Sequence, residues 1–152
     1  GFEVTVVARG SDKERVAFEL GAHHYIDTFK ENGLERLRND GGVDFIVATA
    51  PDSETVAALL PALAPRGKAI LLGAGRTPLQ VMPGMMIGAE RTLTGSFVST
   101  PAQTERALRF SHLFQTLPVI EQMPFERANE ALDRLKRGEA RFRIVLTMNQ
   151  DN

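Results

Sequence analysis

The residues able to do chemistry in this chain fall into a few short segments. Gly73-Ala74-Gly75 is the nearest approach to a G-x-G-x-x-G cradle, whose glycines let a pyrophosphate rest on a helix N-terminus. Arg76, Thr77 and Pro78 follow in place of a glycine-bearing helix. The segment therefore reads as a strand-end turn where missing side chains let a ligand or another backbone come close. His23 and His24 are adjacent, so on a strand they point to opposite faces and cannot chelate one ion together. They read as structural or exposed, as does His112 inside a helical pattern. Asp27 and Asp44 stand at strand edges without a paired carboxylate, which suits solvation or turn capping rather than acid–base work. The absence of cysteine excludes disulfides and thiolate metal sites, so zinc held by this chain would need His and carboxylate ligands alone. Met82, Met85 and Met86 suit a subunit contact or a core edge.

These segments are spaced by an alternation of strands and helices. Val4 to Ala8 (VTVVA) is β-branched and apolar, as in an interior strand buried on both faces of a parallel sheet. Ser11 and Glu14 have capping-box spacing, and Val16, Ala17 and Leu20 share a helical face before Gly21. A brief strand near Tyr25 and Ile26, a polar helix from about Lys30 to Arg38 and a turn at Gly41-Gly42 follow. Val43 to Thr49 is a third strand, and Asp52 or Ser53 caps the next helix, which Pro61 should kink or end near Leu60. Pro65-Arg66-Gly67 is turn chemistry, and Lys68 to Leu72 forms a fourth strand. From Thr77 to Glu90 a loop and short helix are expected, then a strand from about Arg91 to Val98. Helical spacing returns at 102–116 and 125–137, a last strand spans Phe142 to Met148, and the polar tail Asn149 to Asn152 should fray.

The chain therefore predicts a doubly wound, mostly parallel α/β fold. Ligands of such sheets sit outside the carboxyl ends of the strands, here Ala8 to Ser11, Thr49 to Pro51, Gly73 to Gly75 and Ser96 to Ser99. The 152 residues, 43% apolar and 24% charged, suit one soluble core. A net charge of -1 without a basic run argues against nucleic acid as partner. No stretch approaches the roughly 20 apolar residues of a membrane span, and none looks like a signal peptide, so a cytoplasmic protein is expected.

The segments VTVVARGSDKERVAFELGAHHYIDT, GGVDFIVATAP, LAPRGKAILLG, TLTGSF and FERANEALDRLKRGEARFRIVL, in this order, resemble the zinc-dependent alcohol dehydrogenases of the medium-chain family. The cinnamyl-alcohol-dehydrogenase-like branch is the nearest. The resemblance covers almost the whole chain. It implies that residues 1–148 are part of a Rossmann-like NAD(P)-binding domain lacking its first βα unit. The catalytic zinc domain and its Cys and His ligands would lie upstream, and the start at Gly1, with a strand-like run almost at once, fits that expectation.

The resemblance also assigns roles. The end of the first strand would lie beside the adenosine ribose, where an NAD-preferring member carries an acid. Ala8, Arg9, Gly10 and Ser11 supply none, whereas Arg9, Ser11 and Lys13 could meet a 2′-phosphate. NADP is thus the expected cofactor, with NAD the other option. Thr49 would face the cofactor at the end of the third strand. Leu72, Gly73 and Ala74 would line the nicotinamide side, and Ser96, Phe97 and Val98 would offer backbone groups to the carboxamide. Arg143 aligns with an arginine that reaches the pyrophosphate. The implied activity is hydride transfer between NADP(H) and an alcohol or aldehyde, assisted by zinc, in a homodimer. The alternatives are a zinc-independent quinone-reductase-like enzyme and a non-catalytic fragment that only self-associates.

Overall fold

The computed structural model describes residues 1–97 and 99–148. One compact unit spans Gly1–Phe97 and a second lies within Val98–Asn152.

In the first unit, β1 (Thr5–Ala8) pairs in parallel with β2 (His24–Asp27), from Thr5 opposite His24 to Ala8 opposite Asp27. A separate parallel ladder runs β3 (Val43–Ala48), β4 (Leu63–Leu71), β5 (Thr92–Gly95), with β4 in the centre. The connecting helices are α1 (Glu14–Glu19), α2 (Gly33–Asn39), α3 (Ser53–Leu59) and α4 (Pro83–Ile87). Short polar side chains start two of them. Asn32 accepts from the Leu34 and Glu35 amides at 3.1 and 3.3 Å, and Asp52 accepts from the Glu54 amide at 3.2 Å, satisfying donors that have no partner within the helix. Pro61 acts as expected: α3 stops at Leu59 and a 3-10 turn, Leu60–Ala62, leads into β4.

Two apolar clusters hold this unit. Ile26, Leu37 and Ala62 are buried together, with Val7, Leu34 and Leu59 packed against them. Leu60, Leu63 and Ala69 form the other, with Met85 and Leu93 at its edge. The first cluster joins the two ladders through α2 and the end of α3, because no ladder links β1 to β3 among the described residues. Between those strands lies a cavity of about 190 Å³, lined by Thr5 and Val7 on one side and by Phe45, Val47 and Thr49 on the other. Val47 is 56% exposed and Phe45 50%. The Phe2 ring stands edge-on to that of Phe45 at 5.8 Å.

Four sequence expectations need correction. Among the described residues β1 is not an interior strand: its residues are half-buried and it is paired on one side only. Its apolar pattern serves the helix beneath it and the wall of the cavity. Ser11 does not cap α1, which starts at Glu14 with Lys13 in the capping position and no side-chain cap. The chain is still turning at Ser11, whose carbonyl rather than hydroxyl meets the Glu14 amide at 3.2 Å. Pro65-Arg66-Gly67 is no turn between elements but an irregularity inside β4. The pairing jumps from Val43–Leu63 to Phe45–Lys68, and Arg66 takes a φ of 64°. The fifth strand ends at Gly95 rather than reaching Val98, which lies outside the described residues, as does the tail 149–152.

The second unit contains α5 (Pro101–Leu113), β6 (Ile120–Pro124), α6 (Ala128–Lys136) and β7 (Arg143–Thr147). Thr100 and Gln103 form a reciprocal capping box at the start of α5. The strand β6, parallel to β7, has no counterpart in the sequence reading. Glu121 and Gln122 interrupt its apolar run, and prolines stand near both ends. Glu121 ties the unit together, accepting from Arg134 Nη2 at 2.7 Å and from the Arg141 amide at 2.6 Å.

Candidate functional site

The site is built at the carboxyl ends of β1, β3, β4 and β5 in the first unit. After Ala8 the chain turns through Gly10 at φ 79°, a left-handed conformation that costs a glycine nothing. Two side chains of β2 grip that one residue. The Tyr25 hydroxyl donates to the Gly10 carbonyl at 2.7 Å, and Asp27 Oδ1 accepts from the Gly10 amide at 2.7 Å. Asp27 also accepts from the Phe29 amide at 3.0 Å and pairs with Lys30 at 3.6 Å. At 7% exposure it is the one buried charged side chain among the described residues. The Phe29 amide first, with the Gly10 amide and Lys30, holds its carboxyl below the ordinary range against the opposing effect of burial. Asp27 therefore caps a turn, as its sequence position suggested. Tyr25 was legible only as a strand residue; its hydroxyl two positions before Asp27 was the available signal.

Arg9, Ser11 and Lys13 leave this gripped turn exposed to solvent. Asp12, between them, stands 3.8 Å from the Lys13 ammonium. Across the cavity lies the start of α3, where the Thr55 hydroxyl and nearby amides, with the positive charge of Arg9, hold the Asp52 carboxyl low. Exposed Thr49, at the end of β3, stands on the cavity wall.

Gly73 and Gly75 find a different explanation. A Cβ on Gly73 would stand 2.3 Å from the Ala50 carbonyl oxygen, and one on Gly75 would stand 2.1 Å from that of Pro51. The close neighbour of each is therefore another backbone. The Leu72 and Gly73 amides both donate to the Ala48 carbonyl, at 2.9 and 3.0 Å, so the turn after β4 is fastened to the end of β3. Leu72 and Ala74 remain exposed beside it. The Ser96 amide donates to the Leu71 carbonyl at 2.9 Å, and Phe97 is 91% exposed. Among the expected contacts, Arg9, Ser11, Lys13, Thr49, Leu72, Gly73, Ala74, Ser96 and Phe97 thus belong to the first unit. Arg143 opens β7 in the second, beside an apolar groove between α6 and β7.

Among the described residues no three His, Cys, Asp or Glu side chains gather closely enough to hold a metal ion. The His23 Nδ1 accepts from the Val4 amide at 3.1 Å, and His24 Nε2 lies 2.6 Å from Glu3. No helix among the described residues is long and apolar enough to cross a membrane.

Parallel strands with turns gathered at their carboxyl ends define a Rossmann-like α/β fold. The chain belongs to the zinc-binding dehydrogenase family, whose model matches residues 1–112. It is 34% identical over 148 residues to alcohol dehydrogenase patD of Penicillium expansum, covering 97% of this chain and 43% of that protein. To a probable cinnamyl alcohol dehydrogenase of Medicago sativa it is 31% identical over 147 residues, covering 96% and 40%. The crystal structure of CAD from Helicobacter pylori complexed with NADP(H) is similar with a TM-score of 0.75 at 25% identity, covering 95% of this chain and 40% of that one. The chain thus spans less than half the length of these relatives and corresponds to a C-terminal portion of them.

Proposed function

We propose that this chain is the larger part of the cofactor-holding domain of an alcohol dehydrogenase that moves a hydride between NADP(H) and an alcohol or aldehyde. The observation that carries this reading is the Arg9–Lys13 turn: two exposed cations and a hydroxyl at the end of β1, on a turn held by Tyr25 and Asp27. Arg9 and Lys13 supply charge-assisted donors to a 2′-phosphate and Ser11 a neutral one. An acid accepting from both ribose hydroxyls, the mark of NAD preference, is absent from Ala8 to Ser11. The NADP(H) complex of the similar Helicobacter pylori structure supports the same choice.

The remaining roles follow the strand ends. Thr49 faces the cofactor at the end of β3, and Leu72, Gly73 and Ala74 form the wall against which the nicotinamide lies. Ser96 and Phe97 offer main-chain groups to its carboxamide. The bound cofactor supplies the hydride carrier. Among the described residues no three His, Asp or Glu side chains gather closely enough to hold a metal, so a zinc polarising the substrate oxygen would take its ligands from elsewhere. The unpaired edges of β1 and β3, with an apolar cavity between them, support a further strand of the same domain in that place.

The test is turnover by the full-length enzyme carrying this chain. NADP+-dependent oxidation of a primary alcohol, lost with a zinc chelator, is expected. Chelator-resistant reduction of a quinone would replace this reading with the quinone-reductase-like one, and a protein without turnover would leave a self-associating module.

A further inference from the structure

We infer that Tyr25 and Asp27 are positioning residues for cofactor choice, holding the Arg9–Lys13 turn in the shape that presents its cations to the 2′-phosphate. The inference rests on the reading of that turn given above and extends it to two residues that need not touch the cofactor. A turn of exposed residues ordinarily samples many conformations. Here both main-chain polar groups of Gly10 are taken by side chains of the neighbouring strand: the carbonyl by the Tyr25 hydroxyl and the amide by Asp27, each at 2.7 Å. Fixing both groups fixes the two peptide planes that flank Gly10, and with them the directions in which Arg9 and Ser11 leave the chain.

The two gripping residues are placed for this by the strand itself. Tyr25 and Asp27 lie two positions apart in β2 and so share one face. Asp27 is register partner of Ala8, the last residue of β1. Asp27 is in turn held by the Phe29 amide. The Thr28 amide donates to the Ala8 carbonyl at 2.9 Å, so the end of β2 is anchored to the strand whose turn it grips. A side chain at Gly10 would strain this point: its φ is 79°, and a Cβ would stand 3.3 Å from Asp12 Oδ1. With the turn set in advance, binding of the phosphate bears less ordering cost, whereas an enzyme using the unphosphorylated cofactor gains little from the arrangement.

The test uses the full-length enzyme and compares KM for NADPH with KM for NADH, together with kcat for each. Tyr25→Phe and Asp27→Ala should each raise KM for NADPH by about tenfold while kcat at saturation and KM for NADH change by less than about twofold, the mark of a lost binding contribution. Asp27→Asn, whose amide oxygen still accepts from the Gly10 amide, should recover most of the wild-type KM. Arg9→Ala separates the two levels. If it leaves the NADPH-to-NADH ratio unchanged, the phosphate reading and this inference fall together. If Arg9→Ala collapses the ratio while Tyr25→Phe and Asp27→Ala leave it as in the wild type, the inference alone is wrong. Equal losses for both cofactors would likewise overturn it.

Discussion

Strands β1 and β4 read alike in sequence, TVVA against KAIL, yet they live in different surroundings. β4 has a parallel partner on each side, and Ala69 and Leu63 within it are at 0% and 1% exposure. β1 has one partner, and all four of its residues are half-buried. Across the cavity β3 shows the same asymmetry: Ala48 is buried, whereas Phe45 and Val47 are at least half exposed. An apolar, β-branched run therefore reports what a strand is suited to lie against, and the neighbours present decide how far it is buried.

The sharpest contrast should come from truncating side chains on the two sides. Leu60→Ala removes a fully buried side chain from the cluster under β4 and should cost about 2–5 kcal/mol. Val47→Ala, on the cavity wall, should cost less than about 1 kcal/mol, as at other half-exposed positions. Urea unfolding of both variants checks the pair; equal losses would break the contrast.

Glycines sharpen it further. Gly73→Ala drives a methyl into the Ala50 carbonyl and should destabilise by about 1–3 kcal/mol. Gly84→Ala, in α4 with nothing within 4 Å, should stabilise by up to about 1 kcal/mol because alanine favours a helix. Thermal melts would report both shifts.

The smallest expected effect is acid sensitivity. Asp27 and Glu121 have carboxyls held below their ordinary values of 3.8 and 4.5. The Phe29 amide is the main cause for the first and the Arg141 amide, then Arg134, for the second. A group whose folded value is lowered adds stability above its unfolded value and loses it as pH falls through the folded value. Stability should thus decline on acidification below about 4.5, and Glu121→Gln should flatten that decline, as urea titrations at stepped pH would record.

The element order apart from β6, the cap at Asp52, the end of α3 before Pro61 and the last strand were legible, because proline, short polar caps and apolar periodicity act locally. What escaped depended on distant partners. β6 is a strand because β7 pairs with it, and Gly73 is glycine because the Ala50 carbonyl lies against it. The cations of the Arg9–Lys13 turn were visible in the sequence as candidates. The grip on Gly10 was not, since it joins residues 15 and 17 positions apart with no motif to announce it.

The central claim is that these strand ends form only part of a nucleotide site, with an unfilled place beside β1. The most direct check is a fluorescence titration of NADPH against the 152-residue chain and against the full-length enzyme. The chain alone should bind with a Kd of about 1 mM or weaker, a free energy near -4 kcal/mol, and the full-length enzyme in the micromolar range. Micromolar binding by the chain alone would contradict the account.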